Sequence, residues 1–167
     1  LFKLYMNLKI LVITPIEHLK LTFELMKTFD YIYKPYLNKN ELIEILKNDK
    51  SINALFTNPN KQGFILDEEV FINSNIKIIN TASTGTNHID LNFCRKNKIK
   101  VWSLTKDLNL INKLPSTSEL AFGLMIMLLR KMLKAHNSVL KYKWDYLPFL
   151  GDQISGLSVG VVGYGRL

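Results

Sequence analysis

The chain has 167 residues, 47% of them hydrophobic, and a mean hydropathy of +0.05, enough to bury a core of ordinary size and to make one domain plus part of a second. Its formal charge of +8 comes from lysine spread along the chain; the densest cluster, Arg95, Lys96, Lys98 and Lys100 with Lys106 beyond it, has no interleaved aromatics, so nucleic acid is not an expected partner. The cluster reads as solvated surface or, in the other reading, as a lure for an anionic substrate.

The longest uncharged stretch of the central helical pattern, Leu120 to Leu129, is about half of the ~20 apolar residues that span a bilayer, so no membrane partner is expected. The first residues, LFKLYMNLKI, lack the apolar segment and cleavage site of a secretory signal, and Met6 reads as a start preceded by an extension. Cys94 is the single cysteine. It has neither a disulfide partner nor metal-ligand spacing, which points to a reducing, cytoplasmic compartment and no metal.

Leu8 to Ile13 (LKILVI) predicts a buried strand, followed by a helical stretch carrying Leu21, Leu25 and Phe29. Tyr31 to Tyr33 predicts a short second strand. Asn40 is placed to cap a helix with Leu42, Ile43, Ile45 and Leu46, which ends in the polar NDKS turn. A strand at Asn53 to Thr57, a turn at Asn58-Pro59-Asn60, a short helix from Asp67 to Phe71 and a strand at Lys77 to Thr81 follow. Asp90 caps a helix reaching Asn97, and Lys100 to Leu104 forms a further strand. Repeated strand–helix units of this kind predict an α/β fold with a mostly parallel sheet covered on both faces.

At Leu114-Pro115-Ser116 the pattern changes. Ser116 and Glu119 have the spacing of a capping box, so a long helix over 117–140 is expected. It is apolar all round from Leu120 to Leu129 and one-sided afterwards, with Met132, Leu133, Val139 and Leu140 on one face. Such a helix must be covered, either between two domains of one chain or at a subunit interface. After Trp144 and Pro148 a loop leads to Gly156 and a strand at Leu157 to Val162.

Two stretches are placed to meet ligands. Ala82-Ser83-Thr84-Gly85 follows a strand and precedes the Asp90-capped helix, at the sheet end where open α/β folds bind ligands. Successive amides there form either a nest for a carboxylate or an ordinary strand-to-helix turn. Gly163-Tyr164-Gly165 follows the last predicted strand and supplies the first two glycines of a dinucleotide fingerprint, with the amides of Arg166 and Leu167 at the expected helix start. His88 lies within reach of the first loop, although a lone histidine beside a helix start reads first as structural. His18 and His136 have no partner signal.

ASTGTNHIDL at 82–91, PSTSELAFGLMIMLLRK at 115–131, the Trp144 region and SGLSVGVVGYGRL at 155–167 occur in one order. In that order the chain resembles the D-isomer-specific 2-hydroxyacid dehydrogenases, near their phosphoglycerate dehydrogenase-like branch. The resemblance implies a flavodoxin-like substrate domain over 1–112. Residues 113–167 would then be an interdomain helix and the start of a Rossmann dinucleotide-binding domain, so that the chain is an N-terminal piece ending inside the fingerprint.

It implies hydride transfer between NAD or NADP and a D-2-hydroxy or 2-oxo acid, and the all-round apolar stretch of the helix at 117–140 adds the expectation of a homodimer. Ser83, Thr84 and Gly85 would hold the acid, and Thr84, Gly163, Tyr164, Gly165, Arg166 and Leu167 would meet the cofactor. The catalytic His, its carboxylate partner and the substrate-orienting Arg of the family lie later in the nucleotide domain, so no catalytic residue is expected in this chain and the chain alone is expected to be inactive. Ser83 stands where many relatives have Gly, and Asn58 where phosphoglycerate dehydrogenases tend to have an Arg-Ser pair. Lys113 and Leu157 also depart from common residues. The same architecture serves dinucleotide-sensing corepressors, and a stand-alone flavodoxin-like ligand-binding domain is the third reading.

Overall fold

A computed structural model describes residues 8–59 and 62–166. The chain divides into two compact units, Leu1–Leu108 and Asn109–Leu167.

The first unit is built on five parallel strands, β1 (Lys9–Val12), β2 (Asp30–Tyr33), β3 (Ala54–Thr57), β4 (Ile78–Thr81) and β5 (Lys100–Ser103), in the order β2-β1-β3-β4-β5. Four helices connect them: α1 (Lys20–Met26), α2 (Lys39–Asn48), α3 (Glu68–Phe71) and α4 (Leu91–Lys96). Strand register lines up Ile32, Leu11, Leu55, Ile79 and Val101 in one row across the sheet. Because side chains alternate along a strand, that row shares one face, and the next row, Tyr33, Val12, Phe56, Asn80 and Trp102, shares the other.

The two faces are covered unequally. Leu42 and Leu46 of α2, Val70 and Phe71 of α3 and Cys94 of α4 pack on the first row and enclose the main core. On the second face Met26 and Phe23 of α1 reach Val12, Ile16, Tyr33 and Phe56, while Trp102 remains 51% exposed. Cover on both faces, as expected from the sequence, is therefore found only at the β1–β2 end among the described residues.

Local chemistry sets the helix ends. Asn38, not Asn40, caps α2: its side chain accepts from the Glu41 amide at 3.0 Å and the Glu41 carboxylate accepts from the Asn38 amide at 2.8 Å. This reciprocal pair satisfies two orphan donors, which Asn40, inside the first turn, cannot do. Asp90 caps α4 as expected, whereas Asp67, expected as the first residue of its helix, is instead the cap of α3. At the end of α4, Lys98 takes φ 58° while the Ile99 amide donates to Cys94 O at 2.8 Å and the Lys98 amide to Arg95 O at 3.3 Å, a Schellman ending with lysine in the usual glycine place. In α1 the expected stripe fails. Leu21 and Leu25 are exposed, Phe29 lies beyond the helix, and Met26 and Phe23 make the inward contacts instead.

The second unit departs further from expectation. The long helix is two: α6 (Ser116–Leu129) and α7 (Met132–Val139), preceded by the short α5 (Leu108–Ile111) across the unit boundary. Lys131 at φ 49° turns the chain, and its amide donates to Leu128 O at 3.1 Å as a capping bond. The Leu129 carbonyl is taken at 3.1 Å by the Asp152 amide, an approach that needs Gly151, where an added Cβ would stand 2.2 Å from that same oxygen. The expected Ser116–Glu119 capping box does not form. Ser116 is already helical, Pro115 is the N-cap, and the Ser118 hydroxyl donates to Pro115 O at 2.7 Å.

No residue of α6 is buried, so the cover required by its apolar stretch is not found among the described residues. Residues 157–162 are exposed and form no strand; a parallel strand exists only with hydrogen-bonded neighbours, and all five described strands pair with one another. No described helix is long and apolar enough to cross a membrane.

Candidate functional site at the carboxyl end of β4

In the order β2-β1-β3-β4-β5 the connections change direction between β1 and β3, and ligands of such sheets sit beyond the carboxyl ends of the strands. The loop 82–88 leaves the carboxyl end of β4, beside that of β3. Its far end is clasped to a neighbouring segment: the Leu66 amide donates to His88 O at 2.8 Å and the Asp90 amide to Leu66 O at 3.0 Å. Its near end is tied down by the Ala82 amide, which donates to Thr57 O at 3.0 Å, and by the Leu104 amide, which donates to Ser83 O at 3.0 Å.

Inside the loop, side chains continue the tethering. The Ser83 hydroxyl donates to Gly85 O at 2.7 Å and lies 2.8 Å from the Thr81 hydroxyl, which lies 3.0 Å from His88 Nε2. Thr81 and His88 are buried. Burial pushes the His88 imidazole below its ordinary pKa, so it is held neutral. The Thr84 and Gly85 amides, by contrast, find no acceptor among the described residues. An added Cβ at Gly85 would meet nothing within 4 Å, so the backbone there is open to approach.

Two clefts flank the loop. One, of about 320 Å³, is lined by Pro59, Phe64, Ile65, Gly85, Asn87 and His88 among others. The other, of about 450 Å³, is lined by Thr84, Thr86, Ser103 and Thr105 with Arg95 and Lys106. Sequence reasoning assigned those two cations mainly to solvated surface, and the structure sets them around the same cleft as Thr84. It did not single out Thr81, since nothing in the sequence marks a strand-end threonine as the partner of a histidine seven residues on.

The second predicted cluster is separate in character. Gly163 takes φ +88°, a conformation open to glycine, and added Cβ atoms at Gly163 and Gly165 would meet nothing within 4 Å. Tyr164 is fully exposed. The Arg166 guanidinium is turned onto its own unit, donating to Ile111 O at 2.8 Å and Leu114 O at 3.4 Å. Residues 163–166 form no helix start, Leu167 lies outside the described residues, and so does Asn60 of the predicted 58–60 turn. No cluster of metal-ligating side chains exists among the described residues.

The family model of the D-isomer specific 2-hydroxyacid dehydrogenase catalytic domain matches residues 10–109. The D-3-phosphoglycerate dehydrogenase of Archaeoglobus fulgidus is 29% identical over 160 residues, covering 96% of this chain and 28% of that protein. A glyoxylate/hydroxypyruvate reductase of Arabidopsis thaliana is 34% identical over 98 residues, 56% of this chain and 28% of that protein. Among solved structures, the D-lactate dehydrogenase of Aquifex aeolicus complexed with NAD and lactic acid superposes with TM-score 0.68 at 22% identity, covering 95% of this chain and 45% of that one. A Thermus thermophilus protein superposes with TM-score 0.76 at 21% identity over 95% of this chain and 50% of that one, a likeness of fold. The chain thus spans well under half the length of the curated relatives it matches. Since the family model covers more than half of the residues and coincides with the five-stranded unit, the chain belongs to the D-isomer specific 2-hydroxyacid dehydrogenase family.

Proposed function

We propose that this chain is the acid-binding part of an NAD- or NADP-dependent oxidoreductase that interconverts a D-2-hydroxy acid and its 2-oxo acid. The observation that carries the reading is the pair of unoccupied amides at Thr84 and Gly85, held at the carboxyl end of β4 beside an open approach. A carboxylate received there gains two charge-assisted hydrogen bonds, stronger than those to a neutral acceptor. Fixing the carboxylate also fixes C2, which is how the loop would orient the reacting carbon. Arg95 and Lys106 around the adjoining cleft add attraction for an anion.

His88 is not the proton carrier of this reading. It is buried, held neutral and spent on Thr81. The catalytic His, carboxylate and Arg of the reaction are assigned to no residue of this chain. A bound nicotinamide dinucleotide supplies the hydride acceptor or donor. The described residues fit such a group only in part. Gly163 and Gly165 leave the backbone open to a pyrophosphate, but neither a strand nor a helix mounts that turn and Arg166 is engaged elsewhere.

The same reading takes 1–112 as the substrate domain and 113–167 as the beginning of the nucleotide domain, with Ser83 at the acid and Thr84, Tyr164 and Leu167 beside the cofactor. It takes α6, apolar and uncovered, as the homodimer contact. A reducing, cytoplasmic compartment suits the one free, buried Cys94. The test is an NADH and NADPH oxidation assay of the gene product as its cell makes it, against a series of short 2-oxo acids, with wild type beside Gly85→Val. Because a side chain at 85 has open space, the variant keeps the fold and obstructs the amides. The expected result is D-configured product and a KM raised by about tenfold or more, the equivalent of about 1.4 kcal/mol. An unchanged KM removes the loop from the site, and no turnover with any 2-oxo acid contradicts the enzyme reading and favours a dinucleotide-sensing role.

A further inference from the structure

The bonds around Thr81 have a direction that can be worked out from valence alone. A hydroxyl has one proton to give. Ser83 gives its proton to Gly85 O, since a carbonyl only accepts, and so its oxygen must accept from Thr81. Thr81, its proton spent on Ser83, must in turn accept from His88 Nε2. The chain therefore runs one way: His88 Nε2–H to Thr81 O–H to Ser83 O–H to Gly85 C=O. Among the described residues no buried side-chain polar atom is left without a partner.

The relay ends where the candidate site begins. The C=O and N–H of a trans peptide point in opposite directions. With Ser83 O held by the Leu104 amide, the Thr84 N–H is aimed away from β5; with Gly85 O held by Ser83, the following plane is fixed as well. The Gly85 N–H lies in the plane between these two. A residue without a hydroxyl at 83 would leave the second plane unheld and the Thr81 proton without its acceptor.

We propose that His88, through Thr81 and Ser83, is a positioning residue that sets the Thr84 and Gly85 amides for an acid's carboxylate, and that Ser83 is the link that makes this relay work in this chain. The inference rests on the reading of that loop as the carboxylate site, but its first test does not depend on it. Long-range proton–nitrogen correlation spectra of the 167-residue chain near neutral pH report which His88 nitrogen carries the proton. The expected form is Nε2–H in wild type. In Ser83→Ala the Thr81 hydroxyl loses its acceptor and turns to donate to Nε2, moving the histidine toward Nδ1–H; Ser83→Thr, which restores a hydroxyl, keeps Nε2–H.

The second readout is D-lactate affinity by calorimetric titration, expected to weaken about fivefold in Ser83→Ala and to recover in Ser83→Thr. Position 83 is half-buried at a loop, so neither variant threatens the fold, and exchange protection of β4 confirms that in the same samples. Nδ1–H in wild type, or a tautomer indifferent to Ser83→Ala, overturns the relay. A tautomer that responds while D-lactate affinity stays constant overturns the positioning role. Failure of the carboxylate reading itself is recognised separately, by Gly85→Val leaving D-lactate affinity unchanged.

Discussion

Thr81→Val isolates the energetic weight of the buried hydroxyl at the end of β4. Thr81 is 1% exposed, so whatever replaces it is fully enclosed, and valine fills nearly the same volume, which leaves no cavity term. What changes is polar. His88 Nε2–H, 3.0 Å from the Thr81 oxygen, loses its acceptor in a buried place, a penalty of about 1–3 kcal/mol. Ser83 loses an incoming bond but is half-buried, so water replaces it at little cost. The net expectation is about 2 kcal/mol, or roughly a 30-fold fall in the stability constant. Native-state hydrogen exchange at Leu55 and Ile79, in the interior strands β3 and β4, reads the opening of this unit without reference to the rest of the chain. Protection within about threefold of wild type would refute the reasoning, because it would mean that His88 does not depend on Thr81 for its acceptor.

Three further outcomes follow from other parts of the molecule. Asn38→Ala should cost about 1 kcal/mol by removing the reciprocal pair with Glu41, while Asn40→Ala should cost almost nothing; thermal melts of the two variants that coincide would contradict the cap assignment. Cys94, its thiol pushed up to about 11 by burial, should alkylate with iodoacetamide only as fast as the fold opens. Since the unfolded thiol ionises near about 8.5, the unfolded chain holds fewer protons above that pH. Stability should therefore fall as pH rises from there toward about 11, and a melting temperature unchanged over that range would contradict it; immediate stoichiometric labelling at neutral pH would contradict the slow alkylation. Leu128→Glu, at a side chain 78% exposed in the chain, should leave the monomer folded and abolish dimers in sedimentation; a dimer of unchanged affinity would remove α6 from the interface.

The fold of the first unit was readable because its strands are short, mostly apolar runs that alternate with helical patterns, and periodicity carries that information locally. Asp90 was legible as a cap, Asp67 reads as the first residue of the helix that it in fact caps, and Asn38 is passed over for Asn40 because both precede the same apolar run and only the side-chain geometry separates them. The exposed Leu21 and Leu25 show the limit of reading a face from apolar letters: Met26 and Phe23 won the inward positions through packing with Tyr33 and Val12, which lie on other strands.

The second unit was less legible. Residues 157–162 have the composition of a buried strand, yet a strand is a property of its neighbours, and none of the described strands pairs with it. Lys131 breaks the expected helix through a left-handed turn whose partner, Gly151, comes twenty residues later in the chain. At the candidate site the sequence located Ser83, Thr84 and Gly85, and the resemblance gave them a role. The link from His88 through Thr81 needed coordinates, since it depends on which of several hydroxyls face one another.

The central claim is that the Thr84 and Gly85 amides receive a carboxylate. It is tested most directly by titrating the nitrogen-labelled chain with D-lactate and, in parallel, with its neutral amide, lactamide. The account predicts saturable downfield shifts of the Thr84 and Gly85 amide protons with D-lactate and none with lactamide. Equal responses to both compounds, or shifts confined to residues outside the 83–88 loop, would contradict it.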